Sequence, residues 1–263
     1  MLLDAHLILA GFRSYATYRA ATIAGLFTNI VFGFLRGAIL LAAIRQAGDI
    51  GGYSTTDALA YVWLTQGLIA VIAIWNWNEL ALRIESGDIA TDLTRPIDPQ
   101  RYWLARDFGR AAYALCIRGI GPVAVGFVLF DVTVPPDVWQ WMSFVVSVAL
   151  AVWISFGLRF IVNLAPIWLR DWRGALIVSN VLATLMSGFL MPIAWFPHWA
   201  RVVMHALPWA GTTQAPIDVF LGKASGPSGI ATIGLQAAWG FALFVCGRFA
   251  LIAGTRKLVV HGG

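Results

Sequence analysis

Residues 83–110 read RIESGDIATDLTRPIDPQRYWLARDFGR and hold ten of the chain's thirty-one Asp, Glu, Lys and Arg side chains. On either side the sequence is apolar for a membrane's width, over 57–80 before the segment and 111–130 after it. Charge is expensive in hydrocarbon, so a charged island between two such runs reads as a soluble structure held outside a bilayer, where another soluble body can grip it.

Composition points the same way. Apolar residues make up 59% of the 263-residue chain and charged residues 12%, against roughly 25% in soluble domains, and mean hydropathy is +0.76. Six runs of membrane length follow, at 20–44, 57–80, 111–130, 138–162, 174–191 and 228–254. The predicted fold is all-α and polytopic, one transmembrane domain over 1–263. Asp4 stands where a cleavable signal would carry basic residues, so the N-terminus is expected to be retained. Cys116 and Cys246 both fall inside apolar runs, which leaves neither a disulfide framework nor a CxxC site. With six spans both termini share a side. Placing them in the cytoplasm puts Arg13, Arg19, Arg83, Arg95, Arg101, Arg106, Arg110, Arg170, Arg173, Arg256 and Lys257 inside and only Arg45, Arg201 and Lys223 outside, as the positive-inside rule requires.

The connecting segments carry their own periodicities. Leu2, Ala5, Leu9, Phe12 and Ala16 share a helical face opposite His6, Arg13 and Thr17, which predicts an interfacial helix over 1–19. In the outer segment 192–227, Pro192, Pro197, Pro208 and Pro216 bracket short broken helices that re-enter the outer leaflet. In the charged segment 82–110, Ser86 through Asp92 begin a short helix, and Arg95 ends it because the residue before Pro96 is driven out of the helical region. Asp98-Pro99 then starts a second helix that runs through Arg101, Arg106 and Arg110 into the third span.

Several chemistries are excluded. A phosphate-binding loop needs a glycine-rich turn ending in Gly-Lys-Ser/Thr; Lys223 precedes Ala224 without such a turn, and Lys257 follows Arg256. Ser187-Gly188 lacks the facing histidine that intramembrane proteolysis requires, and His198 and His205 have no further metal ligand nearby. Glu79 is the carboxylate expected inside a span, near its inner end, which is shallow for proton-coupled transport. Arg36, Arg159 and Arg248 are placed where long side chains snorkel to water. Arg118, before Gly119 and Gly121-Pro122, is expected to face the bundle interior near a break in the third span. The candidate pathway residues are Trp63, Gln66, Trp75 and Asn76 on the second span, together with Arg118. Gly33 and Gly37 form a GxxxG pair that permits close helix approach.

The order of these features resembles the ABC-2 type permeases, and more closely the subgroup, viologen exporter-like, in which two different six-span permeases share one type of ATPase. The residues that carry the resemblance are Ser86-Gly87-Asp88-Ile89 with Thr94-Arg95-Pro96-Ile97-Asp98 and Leu104-Ala105-Arg106, then Ser187-Gly188-Phe189-Leu190-Met191-Pro192 with Pro197, Leu207-Pro208, Ala215-Pro216 and the terminal Gly262-Gly263. The resemblance implies the permease subunit of an ATP-driven exporter in the bacterial cytoplasmic membrane, with a hydrophobic or cationic small molecule as cargo. It also implies two ABC ATPase copies and a second six-span permease as partners beside the lipid, with no nucleic acid. The chain itself would bind no cofactor, ATP and Mg belonging to the ATPase. Coupling to that ATPase would fall on Glu85, Ser86, Gly87, Asp88, Asp92, Arg95, Pro96, Asp98 and Arg101. A secondary transporter or channel working without an ATPase is the alternative.

Overall fold

A computed structural model describes residues 2–16, 19–48, 51–75, 77–94 and 96–257; Asn76, Arg95 and the terminal Gly262-Gly263 lie outside the described residues. Helix α1 (Leu2–Ala16) precedes α2 (Arg19–Ala47) and α3 (Thr55–Ile72). The charged segment supplies α4 (Glu79–Glu85), α5 (Ile89–Leu93) and the start of α6 (Pro99–Leu129). Then come α7 (Val138–Asn163), α8 (Arg173–Met186), the short α9 (His198–Ala206) and α10 (Gln214–Phe220), and α11 (Gly226–Thr255). Local capping explains several starts. Ser54 and Asp57 form a reciprocal capping box on α3, Asp98 accepts the Arg101 amide at 2.9 Å with Pro99 in the first turn of α6, and Asp137 accepts the Gln140 amide at 2.8 Å on α7.

Among the described residues, five helical stretches are long and apolar enough to cross a membrane: Thr22–Gln46, Thr55–Ile72, Pro99–Leu129, Val138–Ile167 and Gly226–Thr255. The expected spans differ from these in two places. The run at 174–191 stops as a helix at Met186; its 14 residues rise about 21 Å, short of the ~30 Å hydrocarbon thickness. Gly188 turns the chain at φ 80°, and the Ser187 carbonyl accepts the Gln214 amide at 2.9 Å, which ties the end of α8 to the start of α10. The run at 57–80 breaks at Ala73, which sits in the left-handed region with φ 53°, so Glu79 lies on α4 instead of inside a span.

The third span is a single rod from Pro99 to Leu129 that loosens into one π-helical turn at Leu115–Gly119, carrying Arg118. Apolar packing divides toward the two ends. Tyr53, Tyr61, Leu64, Leu68, Ile217 and Phe220 pack at the proline-rich end, and Trp77, Leu80, Ile84, Ile89, Trp103 and Phe160 at the charged end.

Candidate functional site

The charged segment folds into two short packed helices rather than a solvated loop. Gly87, at φ 84°, makes the turn between α4 and α5, a conformation that side-chain-bearing residues rarely adopt. Arg83 closes that turn with a two-pronged bond to Asp92, Nε to Oδ2 at 2.5 Å and Nη2 to Oδ1 at 2.9 Å. On the inner side Ile84 and Ile89 are buried against Leu80, Trp103 and Phe160, each such side chain contributing about 1.5–3 kcal/mol. Glu85, Ser86, Gly87, Asp88, Thr91, Thr94 and Pro96 form the open face. Across it, the Ser86 hydroxyl donates to Asp88 at 2.9 Å and Glu85 meets Arg173 at 3.3 Å. Asp92, Asp98 and Arg101 turn away from that face. Asp92 holds Arg83, Asp98 caps α6 and pairs with Arg248, and Arg101 reaches α1.

Helix α1 is clamped along the start of α6. Arg101 donates twice to Asp4, Nε to Oδ1 and Nη2 to Oδ2, both at 2.7 Å, and this guanidinium holds the Asp4 carboxyl below the ordinary carboxylate range. Glycines set the approach: a Cβ on Gly109 would lie 2.0 Å from the Ile8 carbonyl, and one on Gly11 would lie 2.4 Å from the Arg106 carbonyl. The two backbones are in direct contact at these glycines. Gly11, which is buried, marks the packed face, whereas Ala5 and Leu9 of the expected apolar stripe are exposed.

The break after α3 is held by a polar cluster that sequence reading missed. A helix end strands its last carbonyls. Arg110 on α6 donates to the Ala70 carbonyl at 2.6 Å and to that of Val71 at 2.9 Å, and the Ser155 hydroxyl on α7 donates to Ile72 at 2.7 Å. Asp107 grips both flanking arginines, Arg110 Nε at 2.7 Å and Arg159 Nη2 at 2.7 Å. Arg159 is therefore a buried, paired residue rather than one that snorkels to water; its side chain is 7% exposed. Beyond the break, the Asn163 amide donates to the Trp77 carbonyl at 2.9 Å and its oxygen accepts the Ala81 amide at 3.1 Å. The charge cluster thus links the charged segment, the broken second span and α7. Its sequence signal is weak, because Asp107 and Arg159 are 52 residues apart.

A cavity of about 780 Å³ opens beside that break, between α2, α3 and α6. Gln66, Trp75 and Arg118 line it, as do Arg36 and Asn29. The Trp75 indole donates to Thr184 at 2.7 Å and its ring stands edge-on to Phe189, with centroids 4.8 Å apart. Trp63 is elsewhere. It is fully buried, wedged where a Cβ on Gly33 would come within 2.4 Å and one on Gly126 within 2.1 Å of its ring, so it is a packing residue and the GxxxG pair serves α2–α3 contact inside the chain. Arg36 does not snorkel either: its Nη2 donates to the Phe189 carbonyl and, at 3.0 Å, to that of Leu190. At the proline-rich end, Asp218 accepts from Tyr53 at 2.8 Å and from Gln214 at 2.7 Å, and burial pushes its pKa up to about 6.

A family model, that of the ABC-2 family transporter protein, matches residues 27–262. No curated protein and no solved structure matches the chain. The match begins inside α2 and takes in all the later described helices, with the charged segment and most of the cavity lining; α1 and the start of α2, with Tyr15 and Thr22 of the cavity, precede it. The chain belongs to the ABC-2 transporter family and is a multi-pass transmembrane subunit of an ABC transporter, a translocation subunit of the kind that normally works with separate ABC ATPases.

Proposed function

We propose that the chain is one of two permeases of an ATP-driven exporter in the bacterial cytoplasmic membrane, and that the open face from Glu85 to Pro96 receives a separate ATPase. The charged end and both termini face the cytoplasm, in keeping with the excess of Arg and Lys there. Two ATPase copies carry ATP and Mg, and a second, different six-span permease completes the path. Closure of the ATPases displaces α4 and α5. Their buried face passes that displacement to α6, and the clamp on Asp4 carries α1 along.

The observation that supports this reading best is mechanical continuity. The seat for the ATPase, the interfacial helix and the third span form one packed body, and Arg110 on that body holds the broken end of α3 beside the cavity. Replacing Glu85, Asp88 or Arg95 by Ala, in the complex of both permeases and the ATPase, is expected to lower transport per ATP hydrolysed while membrane insertion stays intact. Unchanged transport and unchanged ATPase binding in all three variants would refute it.

A further inference from the structure

The charges facing the cavity are of one sign. Arg36, Arg110 and Arg118 line it, and no carboxylate does among the described residues. Arg110 shares the Asp107 carboxylate with Arg159, whereas Arg36 and Arg118 make no ion pair among the described residues. Each also has a buried nitrogen without a hydrogen-bond partner, Nη1 of Arg36 and Nε of Arg118. Arg118 makes no side-chain hydrogen bond there; its guanidinium lies against Gly25, where a Cβ would come within 2.4 Å. Both are half-buried, and a guanidinium without a carboxylate on a largely apolar wall is stabilised when an acidic group joins it. The Arg118 guanidinium lies at the level of Gly25 on α2, and Arg36 springs from the same helix eleven residues on, about 16 Å further along its axis at the backbone.

We propose that this cavity binds an organic anion, a carboxylate or phosphate on an apolar body, with Arg118 and Arg36 as two successive stations for its charge. The other walls of the cavity, among them Phe32, Ile69 and Trp75, suit the apolar body. A cationic ligand is poorly served. It meets two unpaired guanidiniums, and two aromatic faces that could attract it are already occupied, Phe189 by Arg36 at 4.7 Å and Trp77 by Arg159 at 5.5 Å. That the anion is cargo rests on the permease reading; that it binds does not.

The test is therefore binding by the full chain without ATPase, in nanodiscs of zwitterionic lipid, by calorimetry with octyl phosphate and octyltrimethylammonium and with empty discs as blanks. Saturable binding of octyl phosphate alone is expected, weakened roughly ten- to a hundredfold by Arg118→Gln or Arg36→Gln and restored in part by Arg118→Lys. Repeating the titration in discs containing phosphatidylglycerol separates two sources of the same chemistry. Unchanged affinity assigns the site to a soluble anion, and competitive loss assigns it to an anionic lipid headgroup; either supports an anion site. Tighter binding of the cation, absence of anion binding, or anion binding indifferent to both Gln variants would overturn the proposal. Failure of the ATPase-coupling experiment would leave this binding result standing.

Discussion

Asp107→Leu strands two guanidiniums at once. Arg110 and Arg159 are 9% and 7% exposed at their side chains, and Asp107 is the carboxylate that each contacts among the described residues. Removing one partner of a buried pair costs about 3–5 kcal/mol, because the remaining charge stays desolvated. Arg159→Met is milder: Asp107 keeps Arg110, so the loss is that of a charge-assisted hydrogen bond, about 1.5–3 kcal/mol. The double variant should then cost less than the sum by about 1 kcal/mol or more, since each change removes part of the same network. Equilibrium unfolding of the purified chain by sodium dodecyl sulfate in mixed micelles measures all three. Proteolysis near residues 72–78 should rise with Asp107→Leu, because Arg110 no longer sits fixed on the Ala70 and Val71 carbonyls. A cost below about 1 kcal/mol for Asp107→Leu, or an additive double variant, would refute a cluster that acts as a unit.

Gly109→Leu places a side chain where even a Cβ lies 2.0 Å from the Ile8 carbonyl, so α1 should detach and become accessible to protease while the spans stay folded. Trp63→Ala removes a fully buried indole and should cost about 3–5 kcal/mol in the same unfolding assay. Its binding of octyl phosphate should match that of the unaltered chain, as a packing residue predicts. The pKa of Asp218, raised from 3.8 to about 6, means that its stabilising contribution is full below about 4 and lost as pH rises through about 6. Thermal unfolding should therefore be easier at pH 7.5 than at pH 5, and Asp218→Asn should flatten that dependence.

Local chemistry was legible where the relevant residues are close in sequence. The helix stop before Arg95-Pro96, the restart at Asp98-Pro99 and the breaks at Pro192, Pro197 and Pro208 all follow from neighbours within a few positions, whereas Pro216, expected to bracket a helix, sits inside the first turn of α10. The break at Ala73 was not legible. Nothing in the apolar run ends the helix by itself; Arg110 and Ser155, from two other helices, hold the carbonyls that a continuous helix would have used. The same limit applies to the candidate pathway. Gln66, Trp75 and Arg118 do share a cavity, yet Trp63, one turn from Gln66, points into the α2–α3 seam instead. Arg36 enters the cavity through the fold of residues 187–195, which no helical periodicity describes.

On the proposed function, the open face of the charged segment is the seat of the ATPase. Photo-crosslinking from a residue placed at Asp88, with a control at the exposed Trp199 of α9, tests this directly in the assembled complex. The predicted result is a crosslink to the ATPase from position 88 and none from position 199. A crosslink from position 199, or none from position 88 in a complex that hydrolyses ATP, would contradict it.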